Sequence, residues 1–331
     1  MPKRRIIART VAVALLAVVL LTAIRSWPDA LGPAADLPEI PDPADAWLAS
    51  TEARVAAGPG LVAGAEKRIR WYADLPATQT EYALVYLHGF SATRQEIAPV
   101  CEQLADALQA NLFETRLTGH GLRSNRLAGV SAEDWLDDAA EALAIGQKIG
   151  KRTLLIGTST GATLALAMRK RLAAGGVDAL ILLSPNFAPA DPSADILTWP
   201  GGPLLARAVV GNERHWTAAN DLQERYWTTR YPLDAAVEVM RLVKAVRSDL
   251  PMQLEQPLLT LLSPQDDVID IQRARAALER ITAPANETID IDAQGANGHV
   301  FAGDILSPVN NDLVVQLIAD FVHRQLGPAE L

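Results

Sequence analysis

The stretch Thr153–Ala167, TLLIGTSTGATLALA, decides the fold. A short apolar run ends in the sequence G-x-S-x-G, and a run with helical character follows. In that setting the central serine lies on a sharp, strained turn that exposes its hydroxyl, at a helix N-terminus whose unpaired N–H groups favour a developing anion. Ser159 is therefore a candidate nucleophile, and Gly157 and Gly161 allow the helix to pack closely. The alternative is an ordinary glycine-rich turn.

Short apolar runs alternate with longer helical runs on both sides of this stretch. Predicted strands are Tyr82–Leu87, Leu112–Thr115, Thr153–Ile156, Ala179–Leu183, Leu258–Leu262 and Thr288–Ile291. Predicted helices are Arg94–Ala110, Ala132–Ile149, Gly161–Leu172, Gln272–Arg280 and Asn311–Leu326. Such alternation is typical of βαβ units, so we predict an α/β fold with a mostly parallel central sheet and helices on both faces.

Breaks in this rhythm divide the chain. The α/β core covers residues 65–184 and 257–331, and residues 185–256 form a helical cap inserted into it. The cap holds three of the chain's seven tryptophans, Trp199, Trp216 and Trp227, which either line an apolar substrate pocket or form the cap's own core. Residues 27–64 are rich in proline and alanine and predict a tether, with a short helix around Trp47–Ala56.

Residues 1–26 are predicted to be a membrane signal. Basic residues precede the apolar run Val11–Ile24, whose 14 residues suit a signal peptide. Counting from Ile6 gives 19 residues, or about 28 Å of helix, which nearly spans a bilayer. No A-x-A cleavage site follows, so we favour an uncleaved anchor over a cleaved signal peptide. The positive-inside rule then places the rest of the chain on the extracytoplasmic side, secreted or periplasmic after any cleavage. A cytoplasmic protein with an apolar N-terminal helix is the remaining alternative.

The composition excludes some classes of protein. With 49% hydrophobic and 21% charged residues, the chain has ample material for a core. Its net charge is -9 and no basic stripe follows the N-terminus, so nucleic acid is not an expected partner. The single cysteine, Cys101, excludes an intramolecular disulfide and is expected to be a small buried hydrophobe. Oligomeric state is left open.

A serine nucleophile needs a general base. Of five histidines, only His299 stands in a polar loop between the last predicted strand and the last helix. The others fall in glycine-flanked loops, in the cap and inside the final helix: His88, His120, His215 and His323. We therefore assign the base to His299, the alternative being a surface loop histidine.

An acid should orient the base. The sequence SPQDDV follows the strand Leu258–Leu262 and offers Asp266 and Asp267, of which we favour Asp266. One of the two is expected to be only a solvated or helix-capping aspartate. The order serine, aspartate, histidine is the one expected when a G-x-S-x-G serine leads the set.

An oxyanion would need two backbone N–H donors. Thr160, directly after the nucleophile, offers one. Phe90 offers the other, because the preceding Gly89 lets the loop after strand Tyr82–Leu87 approach the site closely. The ring of Phe90 lines the pocket or is buried in the core, and both alternatives stay open.

These motifs together resemble the α/β-hydrolase superfamily, in particular its carboxylesterase and monoacylglycerol-lipase branch. The matching pieces are LHGFSAT at 87–93, TGHG at 118–121, EDWLDDA at 133–139, GTSTG at 157–161, SPQDDVI at 263–269 and NGH at 297–299. The resemblance implies the triad Ser159, Asp266 and His299, with oxyanion donors Phe90 and Thr160. It also implies a structural histidine at 120 and hydrolysis without a metal or cofactor. Ser263, where the family often has glycine, and the threonines flanking Ser159 depart from the pattern.

The implied activity is hydrolysis of a carboxylic ester through an acyl-enzyme. We expect an apolar acyl ester, such as a monoglyceride or lysophospholipid, presented near a membrane. An acyltransferase or a thioesterase would use the same triad. A non-catalytic, membrane-anchored lipid-binding protein is the alternative from a different class.

Overall fold

A seven-stranded sheet forms the centre of the protein. The computed structural model describes residues 31–32, 36–75, 78–124, 126–169, 176–293 and 298–329. The sheet strands are β1 (Arg68–Arg70), β2 (Thr80–Leu87), β3 (Asn111–Glu114), β4 (Gly150–Thr158), β5 (Ala179–Leu183), β9 (Leu258–Leu262) and β11 (Asn286–Asp290). Their order is β1-β3-β2-β4-β5-β9-β11, and only β1 runs antiparallel to its neighbour. The predicted α/β fold with a mostly parallel sheet is confirmed.

The described α-helices are α1 (Ala44–Ala57), α2 (Val100–Ala107), α3 (Ala132–Ile149), α4 (Thr160–Ala167), α5 (Gly202–Val210), α6 (Asp221–Tyr226), α7 (Leu233–Ser248), α8 (Ile271–Leu278) and α9 (Asn311–Leu326). Short strand pairs complete the fold: β6 (Glu213–His215) with β7 (Arg230–Pro232), and β8 (Met252–Gln253) with β10 (Ile281–Thr282). Ser131 caps α3, because its hydroxyl accepts from Asp134 N while the Asp134 carboxylate accepts from Ser131 N.

Helices cover both faces of the sheet. Successive side chains of a strand point to opposite faces, and in β2 the residues Ala83, Val85 and Leu87 join one apolar cluster while Tyr82, Leu84 and Tyr86 join the other. The first cluster packs against α3, α4 and α7, and the second packs against α2 and α9. A strand buried on both faces is expected of a parallel sheet.

The helix predicted over Arg94–Ala110 is wrong in its first half. The structure has a short 3₁₀ turn at Arg94–Glu96, and α2 begins only at Val100. Pro99 explains the break, because its ring locks φ and removes the N–H that a continuous helix would need there. Of the helix predicted over Gly161–Leu172, the structure has α4 over Thr160–Ala167, and residues 170–175 lie outside the described part of the chain.

The range predicted as a cap, residues 185–256, contains two kinds of structure. Its first part is a 3₁₀ helix at Pro192–Thr198, then α5, the β6–β7 hairpin and α6. Its second part is α7, whose apolar face is buried in the first core cluster, where it packs against α4. The insertion is therefore fastened to the core by a long helix and is not only a lid.

The range predicted as a tether contains the folded helix α1. Ala44 and Leu48, one turn apart, are buried in the first core cluster together with Ile40. Glu52, on the same helix, is also buried, and its carboxylate accepts hydrogen bonds from Arg116 Nε at 2.9 Å and from Lys67 N at 3.0 Å. The predicted helix around Trp47–Ala56 thus extends over Ala44–Ala57 and docks on the α/β core.

The predicted membrane signal, residues 1–26, lies outside the described residues. Within the described ranges, every helix is too short or too polar to cross a bilayer.

Candidate active site

Ser159 occupies the turn between β4 and α4. Its backbone has φ 52° and ψ −115°, a conformation that is strained for a residue with a side chain. Hydrogen bonds hold the strained turn: Ser159 N donates to Leu183 O at 2.8 Å, and Ser159 O accepts from Thr163 N at 3.1 Å and from Asn186 N at 3.3 Å. The hydroxyl thus stands above the carboxyl ends of the parallel strands, where α/β sheets bind their ligands.

The glycines around Ser159 are required by close packing. A Cβ on Gly161 would lie 2.1 Å from Leu87 O, and a Cβ on Gly157 would lie 2.6 Å from Ala162 N. Gly89, on the loop after β2, is equally tight, because a Cβ there would lie 3.3 Å from Ser159 Cβ. The sequence prediction that these glycines allow close approach therefore has a direct steric basis.

His299 and Asp266 form a buried hydrogen-bonded pair. His299 Nδ1 donates to Asp266 Oδ2 at 2.7 Å, and the Asp266 side chain is fully buried. The other carboxylate oxygen accepts from Val268 N at 2.9 Å and from Ile269 N at 3.0 Å. This arrangement fixes the Nδ1–H tautomer and leaves Nε2 as a proton acceptor. Asp267, by contrast, is exposed.

The loops that carry the pair are locked together. A Cβ on Gly298 would lie 2.4 Å from Gln265 O, so the histidine loop touches the aspartate loop directly. Ser263 is fully buried, and its hydroxyl donates to Gln265 Oε1 at 3.0 Å. The departure from glycine at 263 is thereby explained, because the serine closes the turn that precedes Asp266.

Two buried histidines support the loop that carries Phe90. His120 Nε2 accepts from Ser91 N at 3.0 Å, while His88 Nε2 accepts from Leu117 N at 3.0 Å and its Nδ1 donates to Gly89 O at 2.8 Å. Burial lowers the pKa of His88 to about 3 and that of His120 to about 4. Both imidazoles are therefore neutral hydrogen-bonding parts of the scaffold at ordinary pH.

Two backbone N–H groups beside Ser159 are available to a ligand. Thr160 begins α4, so its N–H has no partner inside the helix. Within the described part of the chain, the Phe90 N–H also donates to no protein acceptor. The ring of Phe90 packs edge-on against Tyr231, with centroids 4.9 Å apart, and lines the cavity described next.

A cavity of about 420 Å³ opens at Ser159 between the sheet and the cap. Ser159, Thr160, His299 and Phe90 lie on its sheet side. Its apolar walls come mostly from the cap and include Leu197, Trp216, Trp227, Val239 and Met240. Of the three cap tryptophans, Trp216 and Trp227 thus line this cavity, whereas Trp199 is 57% exposed and lies apart from it. Within the described ranges, no cluster of three or more metal-ligating side chains occurs.

The sequence did not single out Glu96, which also lines the cavity. Its side chain is 2% exposed, and its Oε2 accepts from Gly89 N at 2.8 Å and from Tyr86 OH at 2.9 Å. Tyr86 OH in turn lies 3.1 Å from Thr158 Oγ1. Thr158, one of the two threonines that flank Ser159 and depart from the family pattern, therefore belongs to this buried network. A lone glutamate in the predicted helix Arg94–Ala110 carried no signal of that role.

The fold and the strained serine turn define an α/β hydrolase. The model of the alpha/beta hydrolase family matches residues 84–304, which is more than half of the chain, and the chain belongs to this family. The predicted superfamily is confirmed. No curated protein matches the chain by sequence.

Solved structures share the fold at low sequence identity. A structure reported for metagenome-derived lipolytic enzymes has a TM-score of 0.65 and 16% identity, and the alignment covers 80% of this chain and 99% of that one. A monoacylglycerol lipase from Paleococcus ferrophilus has a TM-score of 0.58 and 13% identity, with 78% and 98% covered. A soluble variant of monoglyceride lipase from Saccharomyces cerevisiae has a TM-score of 0.57 and 11% identity, with 78% and 91% covered.

Proposed function

We propose that the protein is a carboxylic ester hydrolase that works through an acyl-enzyme on Ser159. The observation that carries this proposal is the buried Asp266–His299 hydrogen bond, on the wall of the same cavity as the strained Ser159. A nucleophile, a base and an orienting acid in this chain order are what acyl transfer requires. Lipolytic and esterase activities named for proteins of the same fold support the choice of an ester.

In the proposed reaction, His299 Nε2 removes the proton of Ser159 Oγ as the oxygen attacks the ester carbonyl. The carbonyl oxygen becomes an oxyanion, which accepts hydrogen bonds from the N–H groups of Phe90 and Thr160. His299 then gives its proton to the leaving alcohol, and the acyl group remains on Ser159. Water attacks that acyl-enzyme with His299 again as the base, and the carboxylic acid leaves. Asp266 stays ionised and stabilises the imidazolium.

The proposed substrate has an apolar acyl chain. Support comes from the apolar cap walls, where Trp216, Trp227 and Met240 face the cavity. A volume of about 420 Å³ lies in the range of small-molecule sites. Monoglycerides and lysophospholipids both satisfy these conditions.

The deciding experiment is labelling by a fluorophosphonate probe, which traps activated serines. Wild type and Ser159→Ala, both lacking the N-terminal residues 1–30, are compared after equal folding is checked by circular dichroism. We expect the wild type to be labelled and Ser159→Ala to stay unlabelled. Absence of labelling in folded wild type would contradict the proposal and favour a non-catalytic binding protein. Labelling together with transfer to added alcohols faster than hydrolysis would favour an acyltransferase.

For the location of the protein, we propose an N-terminal membrane anchor with the hydrolase domain on the extracytoplasmic side. The support is the sequence of residues 1–26, in which basic residues precede an apolar run. In membrane fractions of cells that make the full chain, we expect the protein to resist alkaline extraction. It should also be digested by protease added from the extracytoplasmic side. Release by alkali or protection from that protease would contradict the proposal.

A further inference from the structure

Glu96 presents one of its two carboxyl oxygens to the cavity without a protein partner. Oε2 is saturated by Gly89 N and Tyr86 OH. Within the described residues, Oε1 has no hydrogen-bond partner, although Glu96 as a whole is only 2% exposed. Oε1 is not among the side-chain atoms that are both buried and unpartnered, so it is accessible from the cavity that Glu96 lines and can accept or share a hydrogen bond with a ligand there.

Glu96 also lies next to the nucleophile. A Cβ built on Gly89 would be 2.7 Å from Glu96 Oε1 and 3.3 Å from Ser159 Cβ. These two short distances from one point bring Oε1 within a few ångströms of the reacting serine. Both residues line the same cavity, so the tetrahedral intermediate on Ser159, which still carries the alcohol part of the ester, would lie close to Oε1.

We assign the carboxyl to the side of the leaving alcohol because Glu96 and His299 line the same cavity. His299 is one of the groups whose charge acts on Glu96. In the proposed reaction the alcohol oxygen takes its proton from His299, so the alcohol part of the ester must lie against that imidazole. A substituent on the alcohol carbon chain is therefore the part of the substrate that reaches Glu96.

The protonation states of Glu96 determine which substituent on the alcohol part of the ester it can bind. Burial raises the pKa of Glu96 to about 7, against the hydrogen bonds from Gly89 and Tyr86 and the charge of His299, which lower it. Both protonation states therefore occur near neutral pH. A hydroxyl group donates to the ionised form and accepts from the protonated form. A carboxylate or phosphate is repelled by the ionised form in a site of low dielectric.

We propose that Glu96 is a specificity-determining residue: its Oε1 binds a free hydroxyl on the alcohol part of the ester and disfavours esters whose alcohol part is anionic. The inference rests on the proposed ester hydrolase function and narrows it. Between the two substrate classes left open above, it favours a monoglyceride-like polyol ester over a lysophospholipid, whose headgroup carries a phosphate.

The test compares kcat/KM for three butyrate esters with alcohol parts of similar size: propyl, hydroxyethyl and carboxymethyl butyrate. Acid release is followed at about pH 8.5, where Glu96 is mostly ionised and the esters are stable. In wild type, we expect the hydroxyethyl ester to be favoured over the propyl ester, and the carboxymethyl ester to be at least roughly tenfold poorer than the propyl ester. Glu96→Gln keeps the shape but removes the charge. It should bring the carboxymethyl-to-propyl ratio up by roughly tenfold and reduce the hydroxyethyl preference.

Tyr86→Phe is the matched control. It removes one hydrogen bond to Oε2 and leaves Oε1 and its charge in the cavity, so the three-ester ratios should stay within about twofold of wild type. An equal shift in both variants would show a merely structural role and overturn the proposal. If Glu96→Gln does not fold, the wild-type ratios still decide, because equal rates on propyl and carboxymethyl esters overturn it. Failure of wild type on all three esters, without probe labelling, would instead reject the ester hydrolase function itself.

Discussion

The cavity is bounded by two regions that are built differently, the rim of the sheet and the cap. At the rim, the carboxyl ends of β2 and β4 meet with no spare room, and a methyl group on Gly161 would overlap a backbone oxygen. In the cap, α5 leaves large apolar side chains in solvent, including Val209, which is 75% exposed, and Leu205, which is 57% exposed. The comparison teaches that the proposed reacting groups are held by interlocked backbone, whereas α5 of the cap leaves part of its apolar surface in solvent.

The largest expected effect at the rim is on the orienting acid. Asp266→Asn should lower kcat by about 10³–10⁴-fold, because an amide favours the wrong imidazole tautomer and no longer stabilises the imidazolium. Asp267→Asn, at the exposed neighbouring position, should stay within about threefold. Ester hydrolysis rates of the two purified variants make the comparison. Equal losses in both variants would remove Asp266 from its proposed role.

Steric tightness at the rim should appear in stability. Gly161→Ala would place a Cβ 2.1 Å from Leu87 O and should lower the free energy of unfolding by about 4 kcal/mol or more. Gly129→Ala isolates the cost of a positive φ, because φ is 68° at Gly129 and no atom lies within 4 Å of a Cβ added there. It should lower the free energy of unfolding by about 1 kcal/mol. Urea denaturation of both variants measures the difference. A Gly161→Ala variant as stable as Gly129→Ala would show that the rim has room to adjust.

A buried carboxyl makes the rim sensitive to pH. The folded-state pKa of Glu96 is about 7, above its ordinary value of 4.5. The folded state therefore binds a proton that the unfolded state releases, and this contribution to stability is present at low pH and lost as pH rises through 4.5 to 7. The unfolding free energy of wild type minus that of Glu96→Gln should fall over this window by about 3 kcal/mol. The difference should be flat above about pH 8. A difference that does not change with pH would contradict the buried, pKa-raised carboxyl.

The smallest effect is expected at the exposed helix of the cap. Val209→Ala should change the free energy of unfolding by less than about 0.5 kcal/mol, because the side chain is 75% exposed. The same substitution in the sheet, Val85→Ala, should cost about 2 kcal/mol, since Val85 is fully buried. Thermal denaturation of the pair compares the two regions with identical chemistry. Similar losses in both would show that α5 is packed more firmly than its exposure indicates.

The sheet and its rim were accessible to sequence reasoning because their signals are local. The strand Tyr82–Leu87 was predicted almost to its observed bounds of Thr80–Leu87, and helix Asn311–Leu326 was predicted with both ends correct. Each segment has a regular pattern of apolar residues, which is sufficient to predict its type and bounds without knowledge of the elements packed against it. The prediction of one helix over Arg94–Ala110 was wrong because it relied on the spacing of apolar residues and ignored Pro99, which interrupts a helix at that position.

Features that depend on contacts between distant parts of the chain could not be predicted from the local sequence pattern. The sequence joined Asp266 and His299 only through chain order and resemblance, and the structure brings them to 2.7 Å. Glu96 gave no sign of lining the cavity, because its position depends on bonds to Gly89 and Tyr86. The proline-rich stretch concealed α1, whose burial depends on the partner Arg116, 64 positions further along the chain.

The docking of α1 determines where the chain can be shortened. Glu52 satisfies Arg116 through two hydrogen bonds, at 2.9 and 2.7 Å, and both side chains are buried. A fragment starting at residue 65, the predicted edge of the core, would leave that guanidinium buried without its counter-charge, a change that costs about 3–5 kcal/mol. A fragment starting near residue 36 keeps Ile40, Leu48 and Glu52. The minimal folding unit of this hydrolase therefore begins some thirty residues before its first sheet strand.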